Sequence, residues 1–410
     1  MKILYFHQHF TTPEGSGGTR SYSLSKKLVS EGHDVIMVCG TYIGGKTGLT
    51  GDFKNNEREG YVEGIKIIEL NIPYSNKDSF FKRSIKFLYF SLKSILIVLR
   101  IDFDILFATS TPLTAAIPGI FSKLLRKGKF IFEVRDLWPE LPKAMKVIKN
   151  PLILILLDKL ETFAYKSADG LIGLSPGIVE GIKKKTKDTK KVVMIPNGSD
   201  LDLFKNNIAY DVDFSSFGID SSDFLAIYTG THGRANGLKV LVEAAKVLQE
   251  RDISNIKIVL IGDGSEKQSL QKDKELYRLE NLIFLSPLPK VKLASWMQRA
   301  DLGLQILADI PEFYFGTSPN KFFDYISSSL PVLINYPGWL ADLILVHKSG
   351  YFANPKEEFD LVDKLEEASN NRNISEKAKT SYDLARKHFD RESLSSEFVV
   401  FFQDILIDEN

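Results

Sequence analysis

"FLAIYTGTHGRANGLKVLVEAAKVLQE", Phe224 to Glu250, carries the reading on which the fold turns. An unbroken apolar run, Phe224 to Thr229, is followed by Gly230, Gly233 and Gly237, and then by leucine, valine and alanine at helical spacing. A strand with no polar alternation is covered on both faces. A glycine loop leading from such a strand into a helix is the opening of a parallel strand-helix unit.

The order repeats on both sides of this stretch. Downstream come "IKIVLIGDG", "LIFLSPL", the helical "LASWMQRA", "LGLQIL" and "LPVLINY". Upstream, "KILYF" leads into "GTRSYSLSKKLVSEGH", a helix that stops at Gly32. "DVIMVCG", "GIKIIEL", "DILFATS", "KFIFEVRD", "GLIGLS" and "KVVMIPNG" follow as further short strands, with helical stretches between most of them. The polar, Ser- and Asp-rich stretch from Leu203 to Asp223 reads as a linker. The pattern predicts two doubly wound α/β domains in tandem, with a cleft between them. A helical segment over Ser375 to Ile407 closes the chain.

At 410 residues the chain is too long for one ordinary core. Its net charge of +1 argues against a nucleic-acid binder. The lone cysteine, Cys39, lies in an apolar strand, so no disulfide framework exists within the chain and a reducing cytosol fits. Cysteine and histidine are too sparse for a zinc cluster. The apolar run of "MKILYFHQHF" is too short for a signal peptide, and no segment has the roughly 20 uninterrupted apolar residues of a membrane span. "SIKFLYFSLKSILIVLR", Ser84 to Arg100, is instead a basic, aromatic, amphipathic helix suited to an anionic membrane surface, or to a core with a solvated basic side.

Ligands of parallel sheets bind at the carboxyl ends of strands, beside helix N-termini. Three loops qualify. Gly15, Gly17 and Gly18 precede a helix after the first strand, without the spacing of a dinucleotide or P-loop fingerprint. Gly230, Gly233 and Gly237 flank Arg234 at the matching point of the second half, where backbone amides and a guanidinium suit a diphosphate. In "EFYFGTSPNKFFDYISSSLPVLINY", Glu312 to Tyr336, a turn at Thr317-Ser318-Pro319 leads into a helix with Lys321 near its start and Asp324 three residues on. A cation for phosphate and a carboxylate for sugar hydroxyls on one helix face match a nucleotide; the alternative is a surface ion pair. Arg135 and Asp136 end the strand in "FEVRDLWPE", and His7 and His9 follow the first strand.

In their order along the chain, "GSGGTRSYSLSKKLVSEGHDV", "FEVRDLWPE", "LIGLSPGI", "IPNGSDLDLF", "IYTGTHGRANGL", "IGDGSEKQSL" and "TSPNKFFDYISSSLPVL" resemble the family 4 retaining glycosyltransferases of the GT-B fold. The likeness is greatest to bacterial members that build O-antigen and capsule, including the fucosamine-transferase-like group. The resemblance implies two Rossmann-like domains facing a central cleft. Residues 1–205 would bind the acceptor, with a last helix at about 388–410 returning to that domain, and residues 206–387 would bind the nucleotide-sugar. It implies Arg234 and Lys321 on the leaving diphosphate and Asp324 on the ribose. Gly17, Gly18, Gly230, Thr231, Gly233, Ser318 and Asn320 would complete the donor site. Asp136 would orient the acceptor hydroxyl, and Arg135, Glu14 and His9 would bind the acceptor. No cofactor and no metal is expected, because fixed positive charge does that work. The expected partners are a nucleotide-sugar, a UDP-sugar of an N-acetylated hexosamine, and a polyprenyl-diphosphate-linked saccharide at the cytosolic membrane face. Nucleic acid is not expected.

The chain departs from the family at two places. Of the family's pair of glutamates, the second falls at Asp324 and the first at Gly316, and the usual Lys-Gly after the arginine is Asn236-Gly237. Two other functions share the two-domain shape. A non-hydrolysing nucleotide-sugar epimerase would turn over donor without acceptor. A two-lobed binding protein would close on its ligand without reaction.

Overall fold

The protein is described from a computed structural model covering residues 1–75, 78–125, 127–205 and 212–407. The first part of the chain runs β1 (Lys2–Phe6), α1 (Arg20–Ser30), β2 (Asp34–Tyr42), β3 (Glu57–Val62), β4 (Ile65–Tyr74) and α2 (Phe80–Arg100). It continues through β5 (Ile105–Thr109), α3 (Ile117–Leu124), β6 (Lys129–Val134), α4 (Glu140–Ala144), α5 (Pro151–Ser167), β7 (Gly170–Gly173), α6 (Pro176–Thr186) and β8 (Lys191–Met194). The second part opens with α7 (Leu201–Lys205), β9 (Phe224–Thr229), α8 (Lys239–Glu250), β10 (Ile256–Ile261), α9 (Lys267–Tyr277), β11 (Leu282–Leu285), α10 (Lys290–Arg299) and β12 (Leu302–Gln305). It ends with α11 (Glu312–Gly316), α12 (Asn320–Ser327), β13 (Val332–Ile334), α13 (Trp339–Val346), β14 (Gly350–Phe352), α14 (Asp360–Asn370), α15 (Ile374–His388) and α16 (Arg391–Ile407).

Two compact units result: Met1–Asn197 with Phe315–Ser318 and Arg391–Asn410, and Gly198–Tyr314 with Pro319–Asp390. The division falls between Asn197 and Gly198, ahead of the 205/206 boundary expected from the polar stretch. That stretch begins inside α7 and includes a 3₁₀ turn at Phe214–Phe217; residues 206–211 lie outside the described residues. The last helix starts at Arg391, and residues 408–410 of the expected 388–410 helix lie outside the described residues. The expected continuous helix over 375–407 is two helices, α15 and α16, broken at Phe389-Asp390.

In the first unit the strand order is β3-β4-β2-β1-β5-β6-β7-β8. All neighbours are parallel except β3, which is antiparallel to β4. This edge hairpin was not expected. Its alternation of half-buried and exposed residues reflects one covered face, unlike the all-apolar inner strands. β1 shows why the inner strands read as continuous apolar runs. Leu4 and Phe6 enter the core beneath α2, α3 and α5, and Ile3 and Tyr5 enter the opposite core beneath α1 and α16. α16 seals that second face, with the Phe398 and Phe402 rings 5.2 and 5.1 Å from Phe107. Gly170 permits the approach, since a Cβ there would lie 2.8 Å from Ile405 Cδ1. Cys39 is buried in β2, as expected.

In the second unit the order is β11-β10-β9-β12-β13-β14, parallel throughout. Each sheet reverses its winding beside its first strand, between β1 and β5 and between β9 and β12. Loops diverge at such a point and leave room for a ligand.

Candidate functional site

The carboxyl edge of the second sheet gathers three loops. After β9, Gly230 N–H donates to Ile261 O and His232 N–H to Asp263 O, and Ala308 N–H, beyond β12, donates to Ala235 O. Glycine is required where the first two loops cross: a Cβ on Gly262 would lie 1.8 Å from Gly230 O. Lys321, in the first turn of α12, reaches into this edge. Its Nζ donates to Tyr228 Oη at 3.0 Å and to Asn236 Oδ1 at 3.2 Å, and it lies over the Tyr228 ring. Tyr228 Oη and Asn236 Nδ2 both donate onward to Thr231 O. The Lys321 ammonium is thus fixed against the Gly230–Gly237 loop by neutral partners. Desolvation pushes its pKa down to about 7. A cation in this state favours an incoming anion, which supplies the counter-charge that the protein withholds.

Lys321 and Asp324 leave α12 toward different partners. Asp324 is buried, and its Oδ1 lies 3.0 Å from Lys290 Nζ of α10, which also pairs with Asp200. Arg234 lies in a 3₁₀ turn, Arg234–Asn236, just ahead of a helix: α8 begins at Lys239, after Gly237 takes φ +58°. Its side chain is largely exposed, with Nε 3.6 Å from Glu266 Oε1. Gly233 precedes that turn and Asn320 opens α12. Ser318 belongs to the first unit, where its Oγ accepts from Asn197 N–H at 3.1 Å. His232 was passed over in the sequence. It is fully buried against Tyr228 and Phe284, and burial, then the charge of Lys267, lowers its pKa to about 4.

The carboxyl edge of the first sheet holds His7 and His9 after β1, Thr111 after β5, and Arg135 and Asp136 after β6. Arg135 N–H donates to Ser110 Oγ at 2.8 Å. Burial raises the Asp136 pKa, opposed by the Arg135 charge and a hydrogen bond from Thr111. His9 sits among the rings of Tyr74, Tyr42 and Phe87, at centroid distances of 4.6, 5.6 and 6.2 Å. Burial, then Arg135, lowers its pKa to about 4, so it stays neutral at pH 7; burial, then Arg135 and His9, holds His7 well below its ordinary value. Glu14 is exposed. Gly15 N–H and Ser16 N–H are committed to Thr12 O and Gly44 O, while Gly17 packs under Tyr42, whose hydroxyl would lie 2.4 Å from an added Cβ.

Two buried acids beneath this edge were also missed. Glu133 Oε2 accepts from Arg20 Nε at 2.9 Å and Nη2 at 2.8 Å, Glu133 Oε1 accepts from Thr109 Oγ1, and Arg20 also donates to the carbonyls of Ile195 and Pro196. Glu161 of α5 accepts from Trp138 N–H, Tyr165 Oη and Lys185 Nζ, which anchors the segment that follows Asp136. A lone acid inside the apolar "KFIFEV" was the available signal for Glu133. Among the described residues, no group of three or more His, Cys, Asp or Glu side chains is arranged to hold a metal ion.

Residues 15–198 match the family model described as glycosyl transferase 4-like domain, and residues 210–387 match glycosyl transferases group 1. Among solved structures, the chain is similar to sucrose-phosphate synthase from Thermosynechococcus elongatus, with TM-score 0.76, 15% identity and all of both chains covered. It is also similar to Anabaena HepE in complex with UDP, with TM-score 0.67, 15% identity, and 98% of this chain and 100% of that one covered. WaaG, a glycosyltransferase involved in lipopolysaccharide biosynthesis, gives TM-score 0.66 at 15% identity over 96% of this chain and 98% of its own. No curated protein matches the sequence.

Proposed function

We propose that this chain, which belongs to the group 1 glycosyl transferases and has their two-domain GT-B fold, is a retaining enzyme that moves a sugar from UDP to a lipid-linked saccharide in bacterial surface-polysaccharide synthesis. The observation that carries the donor half is Lys321, a desolvated cation held by Tyr228 and Asn236 against a glycine loop. UDP in the HepE structure supports the choice of base, and the role printed for WaaG supports the choice of product class. An N-acetylated hexosamine is our reading of the sugar, from the sequence resemblance alone.

In this reading Lys321, Arg234 and the amides of Thr231 and Gly233 receive the diphosphate, and Gly230, whose own amide is held by Ile261 O, shapes the loop beneath it; Gly17, Gly18, Ser318 and Asn320 complete the donor set. Asp324 takes the ribose hydroxyls, which requires its carboxylate to be shared with Lys290. His9, Arg135 and Glu14 bind the acceptor, and Asp136 orients its nucleophilic hydroxyl. The bond from the anomeric carbon to the diphosphate breaks as the bond to the acceptor oxygen forms on the same face. The acceptor's proton passes to the departing diphosphate oxygen. Fixed positive charge stabilises the leaving group, so turnover needs no metal. The enzyme works at the cytosolic face of the membrane, with α2 on the lipid surface; no described helix is long and apolar enough to cross it.

Calorimetry with UDP-, GDP-, dTDP- and CMP-sugars tests the donor assignment. Binding of one UDP-sugar, weakened at least about tenfold in Lys321→Ala and unaffected by a chelator, is the expected result. Equal binding by wild type and variant would remove the donor from this loop, and trapping of a covalent glycosyl-enzyme would rule out the same-face step.

A further inference from the structure

α2 carries an apolar stripe on its outer side as well as its inner one. Phe90, Ile97 and Val98 are buried against the sheet. Phe81, Ile85, Leu88, Leu92, Leu96 and Leu99 recur every three or four residues on the opposite side and are 50–74% exposed. α5 repeats the arrangement: Leu152, Ile155, Leu156 and Phe163 are 50–68% exposed. The two helices cover the same face of the sheet, since α2 packs on α3 and α3 on α5. Both run antiparallel to the strands, so their first turns lie toward the edge that bears His9, Arg135 and Asp136.

Charge selects the occupant. Residues 82–191 contain 21 Lys and Arg against 10 Asp and Glu, an excess of 11 positive charges in a chain whose net charge is +1. On α5, Lys159 and Lys166 are exposed and continue the stripe of Leu152, Leu156 and Phe163 at helical spacing. On α2, Lys82 and Arg100 are exposed at the two ends, Lys82 paired with Asp78 and Arg100 with Glu57, and Lys93 lies over the Tyr89 ring. Apolar side chains ringed by lysine and arginine suit the headgroup boundary of an anionic bilayer, where the rings and leucines enter the acyl edge and the cations meet lipid phosphates. A second copy of this chain would bring the same positive excess against itself and be repelled.

We propose that the outer faces of α2 and α5 together form one docking surface for an anionic lipid bilayer. This rests on the membrane reading of α2 above, and adds α5 and the charge requirement. The site for a lipid-linked acceptor is thereby held at the surface in which the acceptor's lipid is embedded.

Cosedimentation of the full chain with vesicles tests this without turnover, and UDP binding in the same preparation reports separately on the donor site. The chain is expected to bind vesicles of mixed phosphatidylglycerol and phosphatidylcholine, to ignore phosphatidylcholine alone, and to be released by salt. Leu152→Ser/Leu156→Ser should weaken that binding roughly tenfold or more with α2 intact, and Lys159→Glu/Lys166→Glu should remove the lipid selectivity, both with UDP binding unchanged. Vesicle binding by both variants equal to wild type, or equal binding to neutral vesicles, would overturn the proposal. So would sedimentation as a dimer that the leucine variant dissociates, which would assign the face to a second copy. Vesicle binding lost in these variants but with no UDP binding in any form would leave the docking surface standing and remove the transferase site assignment instead.

Discussion

The Lys321 ammonium stands 3.0 Å from the Tyr228 hydroxyl and 4.4 Å from the centre of the same ring, so one tyrosine from β9 both hydrogen-bonds and shields the cation from α12. Replacing Lys321 by alanine removes a charge-assisted contact to the diphosphate of the kind that contributes about 1.5–3 kcal/mol. Calorimetry should show UDP-sugar affinity down by roughly tenfold to a hundredfold. Lys321→Met should also raise the melting temperature at neutral pH, because the native state no longer holds a desolvated lysine.

The pH dependence of donor binding follows from the same group. In the free protein Lys321 titrates at about 7. A bound diphosphate favours the charged form and raises that value, so above about pH 7 binding takes up a proton. UDP-sugar affinity should be level below about pH 7 and fall by roughly tenfold per pH unit above it. Lys321→Arg, whose guanidinium does not titrate there, should flatten the profile. For the ligand-free fold the sign is opposite. The lysine's depressed pKa makes stability rise with pH between about 7 and its ordinary value near 10.5.

Asp324 is paired with Lys290. If it also takes the ribose, wild type should prefer UDP over its 2′-deoxy analogue and Asp324→Asn should bind the two alike. Equal preference in wild type would leave Asp324 a structural partner of Lys290 only.

Asp136→Asn tests the acceptor side. Loss of the orienting carboxylate should lower kcat by roughly a hundredfold while leaving the donor dissociation constant unchanged. Burial raises the pKa of Asp136, so the acid limb of the wild-type rate profile should lie above the usual carboxylate range and vanish in the variant.

Arg20→Met separates support from chemistry. Glu133 would remain buried without its guanidinium, at a cost of about 3–5 kcal/mol, or roughly 10 °C in Tm for a unit of this size. UDP binding by the second unit should be unaffected at temperatures where the first unit remains folded.

The doubly wound architecture was legible because it rests on local pattern. Unbroken apolar strands such as "FLAIYT" and "IKIVLI" declare burial on both faces, and glycines at strand ends mark the loops that a ligand approaches. Arg135, Asp136 and His9 were reachable by the same logic, as charged or titratable groups placed just beyond strand carboxyl ends, and Lys321 as a cation at the start of a helix. The edge hairpin β3 escaped because its half-buried residues carry little hydrophobic signal, and the break between α15 and α16 because both sides of it are helical.

What each side chain touches was decided only in three dimensions. Tyr42, Tyr74 and Phe87 are far from His9 in sequence and surround it because β2 lies beside β1, β4 lies beside β2, and α2 follows β4. Lys321 and Asp324 share a helix face by spacing, yet one turns to Tyr228 and the other to Lys290, because α12 packs between β12 and α7. Spacing along a helix fixes a direction of departure from the axis. The partner found there depends on which element the sheet order brings alongside, and that is a property of long-range packing that no local pattern encodes.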